Sequence, residues 1–118
     1  MLTITKNQFN QIEQEYRQRR RQQLLVDFTK KYPNFCFEMT DQRLIEHIDL
    51  VISEGKELDI TKDADILDCL AIGLFLKKTI CNNEVVALVL RTINNQAWVS
   101  RKRLDFILTQ VLPPNFVD

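Results

Sequence analysis

Four arginines within five positions form the densest group of chemically capable side chains in this sequence. The run EYRQRRRQQ carries them at Arg17, Arg19, Arg20 and Arg21. A guanidinium group binds carboxylates and phosphates, so the cluster could hold an acidic protein, a nucleic acid or an acidic segment of the same chain. On a helical projection Arg20 falls inside an apolar stripe between Tyr16 and Leu24, where it must reach solvent or meet an acid.

The distribution of charge favours an acidic segment of the same chain. The formal net charge is zero, but residues 1–31 carry seven Lys and Arg against three acids, whereas residues 34–69 carry three against ten. Folding the first segment against the second neutralises both. The sequence therefore predicts ion pairs inside the chain plus a solvated basic face, with a protein-binding face as the second interpretation. Nucleic-acid binding is the least favoured, because a DNA-binding protein usually carries net positive charge and base-reading side chains.

A second charged group surrounds the predicted start of the third helix. The group resembles a calcium-binding loop in composition and comprises Asp59, Asp63, Asp65 and Asp68. The spacing of these residues is wrong for such a loop, however, and its tight-turn Gly and terminal Glu are missing. Acids near a helix N-terminus are stabilised by the positive end of the helix dipole. We therefore interpret the group as a helix-start cluster, with an acidic patch for a basic partner as the alternative.

Catalytic and metal-binding chemistry has little support in the sequence. His47 is the single histidine, and no pair of cysteines has the spacing of metal ligands, so neither a metal nor another cofactor is expected. Cys36 or Cys69 could approach His47 in space as a nucleophile–base pair, but no motif accompanies them. Cys69 and Cys81 are more simply small core residues, and His47 a boundary residue with a hydrogen bond. We expect no enzyme activity.

The elements that position these residues are predicted to be helices. Two Gly and three Pro among 118 residues are too few for a β-sandwich, and Leu, Ile, Gln, Lys and Glu are abundant. The pattern predicts an all-α fold, a single compact bundle of about five helices with a short C-terminal tail. Their expected ranges are 6–31, 41–54, 62–78, 84–93 and 101–112.

The first helix has the clearest predicted ends. Thr5 begins the capping box TKNQ, and Pro33 in YPNF cannot continue a helix. At 1.5 Å per residue the helix is about 40 Å long, more than a small bundle needs. Part of it is therefore expected to project or to cover a neighbouring chain, and a homodimer stays open. Its predicted apolar face comprises Phe9, Ile12, Tyr16, Leu24, Leu25 and Phe28.

Weaker signals place the remaining boundaries. Gly55 stands where the second helix should terminate, and Ser100 is the expected N-cap of the fifth. Residues 84–93 would also suit a strand because of their Val content, but no second strand is available to pair with them. Trp98 lies between the last two helices, where it is either a core residue or, if exposed, an anchor for an interface.

The stretch TDQRLIEHIDLVISEGKELDITKDAD, residues 40–65, resembles small helical proteins encoded in type VI secretion gene clusters. Those genes lie beside genes for spike proteins, effector-loading adaptors and toxic effectors. The shared pattern is a long amphipathic first helix, an aromatic–Pro pair, capped helix starts, and Leu and Ile at helical spacing. Over roughly residues 2–75 it falls on Tyr32–Pro33, Thr40–Asp41, Leu44, Ile48, Ile60–Thr61 and Asp65.

Two positions depart from that family pattern. Members often carry Gly where this chain has Val51 and Asp59. Asp59 can still adopt the left-handed conformation that a turn there requires, though less comfortably than Gly. Val51 could fill space that Gly leaves open, so the local helix packing is expected to differ.

The resemblance implies a non-catalytic accessory protein, similar to a chaperone or adaptor, that binds an effector, a spike protein or a loading adaptor. The alternatives are an immunity protein that neutralises a toxin and, less favoured, a nucleic-acid-binding regulator. No apolar run approaches 18 residues, the N-terminus does not resemble a signal peptide, and the three cysteines are odd in number and far apart. We therefore expect a cytoplasmic protein without a membrane segment. The expected binding residues are Arg17, Arg19, Arg20, Arg21, Asp59, Asp63 and Asp65, with Trp98 as a further anchor.

Overall fold

The chain forms five helices and no strand in residues 5–36, 39–78 and 82–113, the ranges that the structure, a computed structural model, describes. A 3₁₀ turn at Pro33–Phe35 follows the first helix, and a π-helical turn at Ile107–Val111 extends the fifth. The predicted all-α fold with a long first helix is therefore confirmed. The helices are α1 (Lys6–Lys31), α2 (Asp41–Glu57), α3 (Asp63–Lys78), α4 (Asn83–Ile93) and α5 (Ser100–Phe106).

The ends of α1 lie where the sequence signals predict them. The Thr5 hydroxyl accepts a hydrogen bond from the Gln8 backbone N–H at 3.2 Å, and the Gln8 side chain accepts one from the Thr5 N–H at 2.9 Å. This capping box satisfies two N–H groups that a helix cannot pair by itself. At the other end the Tyr32 N–H donates to the Phe28 carbonyl, and Pro33 then starts the 3₁₀ turn. Pro33 thus ends α1, because its ring excludes a further helical residue.

The core lies where α3 packs against the C-terminal half of α1, α2 and α5. Phe28 is fully buried, and its ring centroid lies 5.5 Å from that of Tyr32 and 6.5 Å from that of Phe35. Both neighbours follow α1, so aromatic packing holds the turn after this helix against the bundle. Other buried residues of the core are Leu24, Leu44, Ile48, Ile66, Leu70, Ala71, Leu104 and Ile107.

The N-terminal half of α1 does not join this core, which corrects the predicted apolar face. Phe9, Ile12 and Tyr16 are 60%, 56% and 66% exposed, whereas Leu24 and Phe28 are buried. At roughly 100° per residue, the first three point about a third of a turn away from the last two around the helix axis. The helix therefore carries two separate apolar faces, and only the C-terminal one meets the bundle.

Residues 6–19 consequently lie outside the buried core, and we call them the arm. Each of them is exposed except Glu13, which is partly covered. Glu13, Tyr16 and Arg17 at the base of the arm line a pocket with α2. The radius of gyration is 16.3 Å, whereas a compact domain of this length has a value of about 13.5 Å. The excess is consistent with an arm about 21 Å long, at 1.5 Å per residue.

The second helix continues past Gly55, its predicted terminating residue, and ends at Glu57. The left-handed residue of this turn is Asp59, with φ at 59°, as the sequence allows. The Ile60 N–H donates to the Gly55 carbonyl at 2.8 Å, as in a Schellman motif. A Cβ at Gly55 would overlap the Ile60 carbonyl oxygen. Gly55 is therefore required by the close approach of the next turn and not by its own backbone conformation.

The two glycines of the chain should respond to alanine in opposite directions. Gly55→Ala forces the turn at Ile60 to move, and we expect the free energy of unfolding to fall by about 1–3 kcal/mol. Gly73 in α3 has no atom within 4 Å of an added Cβ. Gly73→Ala should therefore raise the free energy of unfolding by about 0.5–1 kcal/mol through helix propensity. Urea unfolding measures both shifts, and a less stable Gly73→Ala variant would contradict this packing.

The last two helices confirm one prediction and correct another. Residues 84–93 are helical, and the Asn82 side chain caps α4 by accepting from the Glu84 N–H at 2.8 Å, so the strand alternative is wrong. The N-cap of α5 is Val99 and not Ser100. The Ser100 hydroxyl instead donates to the Asp65 carboxylate at 2.6 Å, because a charged acceptor binds it more strongly than a backbone group does.

Candidate protein-binding site

The four arginines divide into two that pair with groups on other parts of the bundle and two that face solvent. Arg20 donates to the Asp63 carboxylate and to the Thr61 carbonyl, both at 3.0 Å. Arg21 donates to the Asp49 carboxylate at 2.9 Å. These contacts, which we call the charged seam, join α1 to α2 and to the start of α3. The ion pairs predicted from the charge distribution are therefore present.

Arg17 and Arg19 lie near the base of the arm. Arg17 pairs with Glu13 one turn earlier at 2.7 Å, and its side chain is 63% exposed. An exposed pair at this spacing contributes roughly 0.3–0.5 kcal/mol, so Glu13 holds Arg17 only weakly. Arg19 is exposed and makes no hydrogen bond or ion pair within the described part of the chain. Both guanidinium groups are therefore accessible to a partner.

The predicted acidic group also divides into exposed and buried members, and the prediction of one member as a binding residue is wrong. Asp59 is exposed in the turn after α2, and Asp63 is exposed but paired with Arg20. Asp65 is 2% exposed, and it accepts hydrogen bonds from Arg101 at 2.9 Å and from Ser100 at 2.6 Å. A buried carboxylate cannot meet a partner protein, so Asp65 belongs to the interior of the bundle.

A buried charge network, which the sequence analysis did not identify, links α3 to α1 and α5. One guanidinium nitrogen of Arg101 donates to Asp65 at 2.9 Å and another donates to Asp68 at 2.8 Å. Asp68 also accepts from Lys31 at 2.8 Å and from the Tyr32 hydroxyl at 2.5 Å. The signal in the sequence was two acids three positions apart on a helix that is otherwise rich in apolar residues.

The hydrogen bonds of this network set its ionisation. Burial raises the pKa of Asp68, but hydrogen bonds from Lys31, Tyr32 and Arg101 outweigh burial and leave the pKa below its usual value. Burial, followed by the hydrogen bond to Asp68, raises the pKa of Tyr32. At neutral pH, therefore, a charged carboxylate accepts a hydrogen bond from a neutral phenol.

Arg103 is a second cation inside the bundle. It is fully buried, and one of its guanidinium nitrogens donates to the Ile93 carbonyl at 2.7 Å. That carbonyl is at the C-terminus of α4, where the helix dipole places partial negative charge. The Arg103 Nε has no partner among the groups that the structure describes. The contact fixes α5 on the end of α4.

The Cys69 thiol lacks the lowered pKa of an activated nucleophile. Burial, followed by the charges of Asp65 and Asp68, raises the pKa of Cys69 to about 12, so Cys69 is a neutral thiol near pH 7. Cys81, a predicted core residue, lies outside the described residues. No group of three His, Cys, Asp or Glu side chains within the described ranges is placed to hold a metal ion.

Trp98 is partly buried and fits neither predicted role fully. Its ring meets that of Phe106 edge-on, with centroids 5.7 Å apart, and the Lys102 ammonium lies 4.4 Å from the Trp98 centroid. Both contacts come from α5, so this helix fixes the orientation of the ring. Val99 beside it is 72% exposed. Trp98 is therefore a supported side chain at the edge of the bundle, with part of its surface in solvent.

The arm is the strongest candidate surface for binding. Phe9, Ile12 and Tyr16 follow at three- and four-residue spacing, which places them on one face of the helix. All three are more than half exposed. Contiguous apolar side chains left in solvent mark interaction sites in globular proteins. With Arg17 and Arg19 close by, the arm combines apolar anchors with accessible guanidinium groups.

No protein-family model, curated protein or solved structure matches this chain. Within the residues that the structure describes, no helix combines the length and the apolar character needed to cross a membrane.

Proposed function

We propose that this chain is a non-catalytic accessory protein that binds another protein through the arm of α1. The observation that carries the proposal is the uncovered stripe of Phe9, Ile12 and Tyr16 on a helix that extends beyond the bundle. Apolar side chains at this spacing are the anchors by which an amphipathic helix enters a groove of its partner. Burial of such anchors supplies most of the affinity in interfaces of this kind.

The arm is formed before it meets a partner. An isolated helix shorter than about 12–15 residues is marginal in water, but the arm continues the packed half of α1 and needs no separate nucleation. The capping box at Thr5 and the Glu13–Arg17 pair stabilise its free end. A preformed helix loses less conformational entropy on binding than a disordered segment, which favours affinity.

The charges on the arm define the complementary surface. Arg17 and Arg19 favour a partner whose apolar groove has an acidic rim, since opposite charges speed encounter and exclude wrong partners. Arg20 and Arg21 are paired within the charged seam, so we expect them to stabilise the bundle and not to bind the partner. The seam also withholds two of the four clustered arginines from a phosphate backbone, which supports a protein partner over a nucleic acid.

The resemblance to proteins of type VI secretion clusters indicates which partners to test. We propose that the partner is an effector, a spike protein or a loading adaptor encoded beside this chain, and that the two meet in the cytoplasm. A chaperone-like role follows from the chemistry of the arm, because it would cover an acidic-rimmed apolar groove of the partner until delivery.

Co-purification of the tagged chain with each product of the flanking genes tests the proposal. We expect one product to be retained, and the double variant Phe9→Ser/Tyr16→Ser to bind it at least about 10-fold more weakly, a loss of about 1.4 kcal/mol. Arg19→Glu should weaken binding mainly through slower association. Arg91→Glu is the matched control, because Arg91 is also an exposed arginine, lies on α4, and its charge reversal leaves the arm unchanged.

Equal binding of the partner by wild type and by the Phe9→Ser/Tyr16→Ser variant would refute the arm as the binding surface. If the chain binds a toxin with nanomolar or tighter affinity and rescues cells that express it, the immunity alternative is correct. An accessory protein changes the solubility or secretion of its partner and rescues no cells.

A further inference from the structure

A second apolar surface opens between α2 and α4. It is a groove of about 360 Å³ whose lining includes residues of α3. Gly73 lies in the floor, exposed and with no atom within 4 Å of an added Cβ. Leu50 of α2 and Leu90 of α4 line the groove and are 49% and 53% exposed. The groove is therefore wide enough at Gly73 to admit side chains from outside.

The two ends of this groove differ in charge. His47 and Lys77 line one end, where the Lys77 ammonium supplies positive charge. Glu54 lines the groove two helical turns further along α2, at a distance of about 10 Å. A helix that enters must therefore turn apolar side chains towards Gly73, with an acid near one end and a base near the other.

The arm of α1 has these features. Phe9, Ile12 and Tyr16 provide the apolar face. Lys6 and Glu15 are exposed and lie near opposite ends of that face. Glu15 suits the basic end of the groove, and Lys6 suits the acidic end. The chain thus carries both an uncovered helix face and an open groove whose charges complement each other.

We propose that the arm of one copy of this chain binds in the groove of a second copy, and that the second arm returns the contact. The arm cannot fold back into its own groove, because α1 is one continuous helix from Lys6 to Lys31 that carries the arm away from the bundle. If each arm binds in the groove of the other copy, the dimer is closed by two-fold symmetry. The apolar arm and the apolar groove of both copies are then covered. Three anchors are few for a standard interface of roughly 1,200–2,000 Å², so we expect the two contacts to form together.

This inference goes beyond the proposed function and does not depend on it. Self-association would bury the same three anchors that the proposed partner uses. Binding of a second copy and binding of a partner protein therefore exclude each other, and a partner of higher affinity displaces the second copy. The dimer would keep the apolar arm out of solvent until that partner is present.

Sedimentation velocity of the full chain across roughly 1 μM to 1 mM tests the inference. We expect the mass to rise from 14.0 kDa towards twice that value as concentration increases. Gly73→Leu places a side chain in the open groove, and Phe9→Ser/Tyr16→Ser removes anchors from the arm. Each should weaken self-association at least about 10-fold. Gln22→Leu is the control, since it adds the same side chain at an exposed position of α1 outside the groove and should dimerise as wild type does.

A chain that stays monomeric over this whole range would overturn the inference, and so would a dimer that survives either variant. Thermal unfolding shows that Gly73→Leu remains folded, and the open space at Gly73 predicts a midpoint at or above that of wild type. If the chain is monomeric and Gly73→Leu abolishes binding of a co-purified protein, the groove belongs to that protein and self-association is refuted. If the dimer forms but no flanking product binds, the proposed function fails alone.

Discussion

Arg101→Ala should lower the free energy of unfolding by about 2–4 kcal/mol. The Arg101 guanidinium bridges the side chains of Asp65 and Asp68, which are 3% and 2% exposed, so its removal leaves both carboxylates buried without this cation. The Arg101 side chain is itself 41% exposed, and solvent screening keeps the loss below that of a fully buried ion pair. Urea unfolding near neutral pH measures the change.

Two further variants separate this network from general surface effects. Arg91→Ala removes an exposed arginine from α4 and should change stability by less than about 0.5 kcal/mol. Asp68→Asn should destabilise less than Arg101→Ala does. The reason is that Lys31 and Arg101 can turn towards solvent when they lose a partner, whereas a buried carboxylate cannot.

Acid should narrow the difference in stability between wild type and Arg101→Ala. In wild type the pKa of Asp68 is held low, so its stabilisation is present above the unfolded value of about 3.9 and is lost as pH falls through the folded pKa. In the variant the Asp68 carboxylate has lost its guanidinium partner, and its protonation lowers the cost of burying it. A deficit that is unchanged between about pH 7 and about pH 3 would show that charge is not its cause.

Phe28→Ala should lower the free energy of unfolding by about 3–5 kcal/mol, the range for a large aromatic residue removed from a core. Phe28 is fully buried, and its ring packs against those of Tyr32 and Phe35. The cavity would lie beside Tyr32, whose hydroxyl donates to Asp68, so the loss extends from the aromatic packing to the charge network. Urea unfolding and the near-ultraviolet circular dichroism of the aromatic residues report the change.

Phe9→Ala is the matched control, because it removes the same side chain from the other end of the same helix. Phe9 is 60% exposed, so we expect a change of less than about 0.5 kcal/mol. Similar losses in Phe9→Ala and Phe28→Ala would contradict the separation of α1 into a packed half and an arm. If Phe9→Ala lowers the free energy of unfolding more strongly only at high protein concentration, the arm is covered by a second copy.

The sequence alone determined the helices and most of their ends, because these depend on neighbouring residues. The Thr5 capping box and the stop at Pro33 each involve groups within a few positions, so spacing suffices to predict them. The segregation of charge likewise predicted ion pairs between α1 and the acidic segment. Arg20 and Arg21 make them with Asp63 and Asp49.

Only the tertiary structure decided which face of each helix is buried. Periodicity gives the angle of a side chain around its own helix axis, but not where the neighbouring helices lie. Phe9 therefore looked like Phe28 in sequence, yet α1 extends past the bundle and leaves it uncovered. Asp65 looked like an exposed helix-start acid until α5 brought Arg101 to it across 36 positions of sequence. Contacts between residues so far apart depend on the packing of whole helices, which no local pattern specifies.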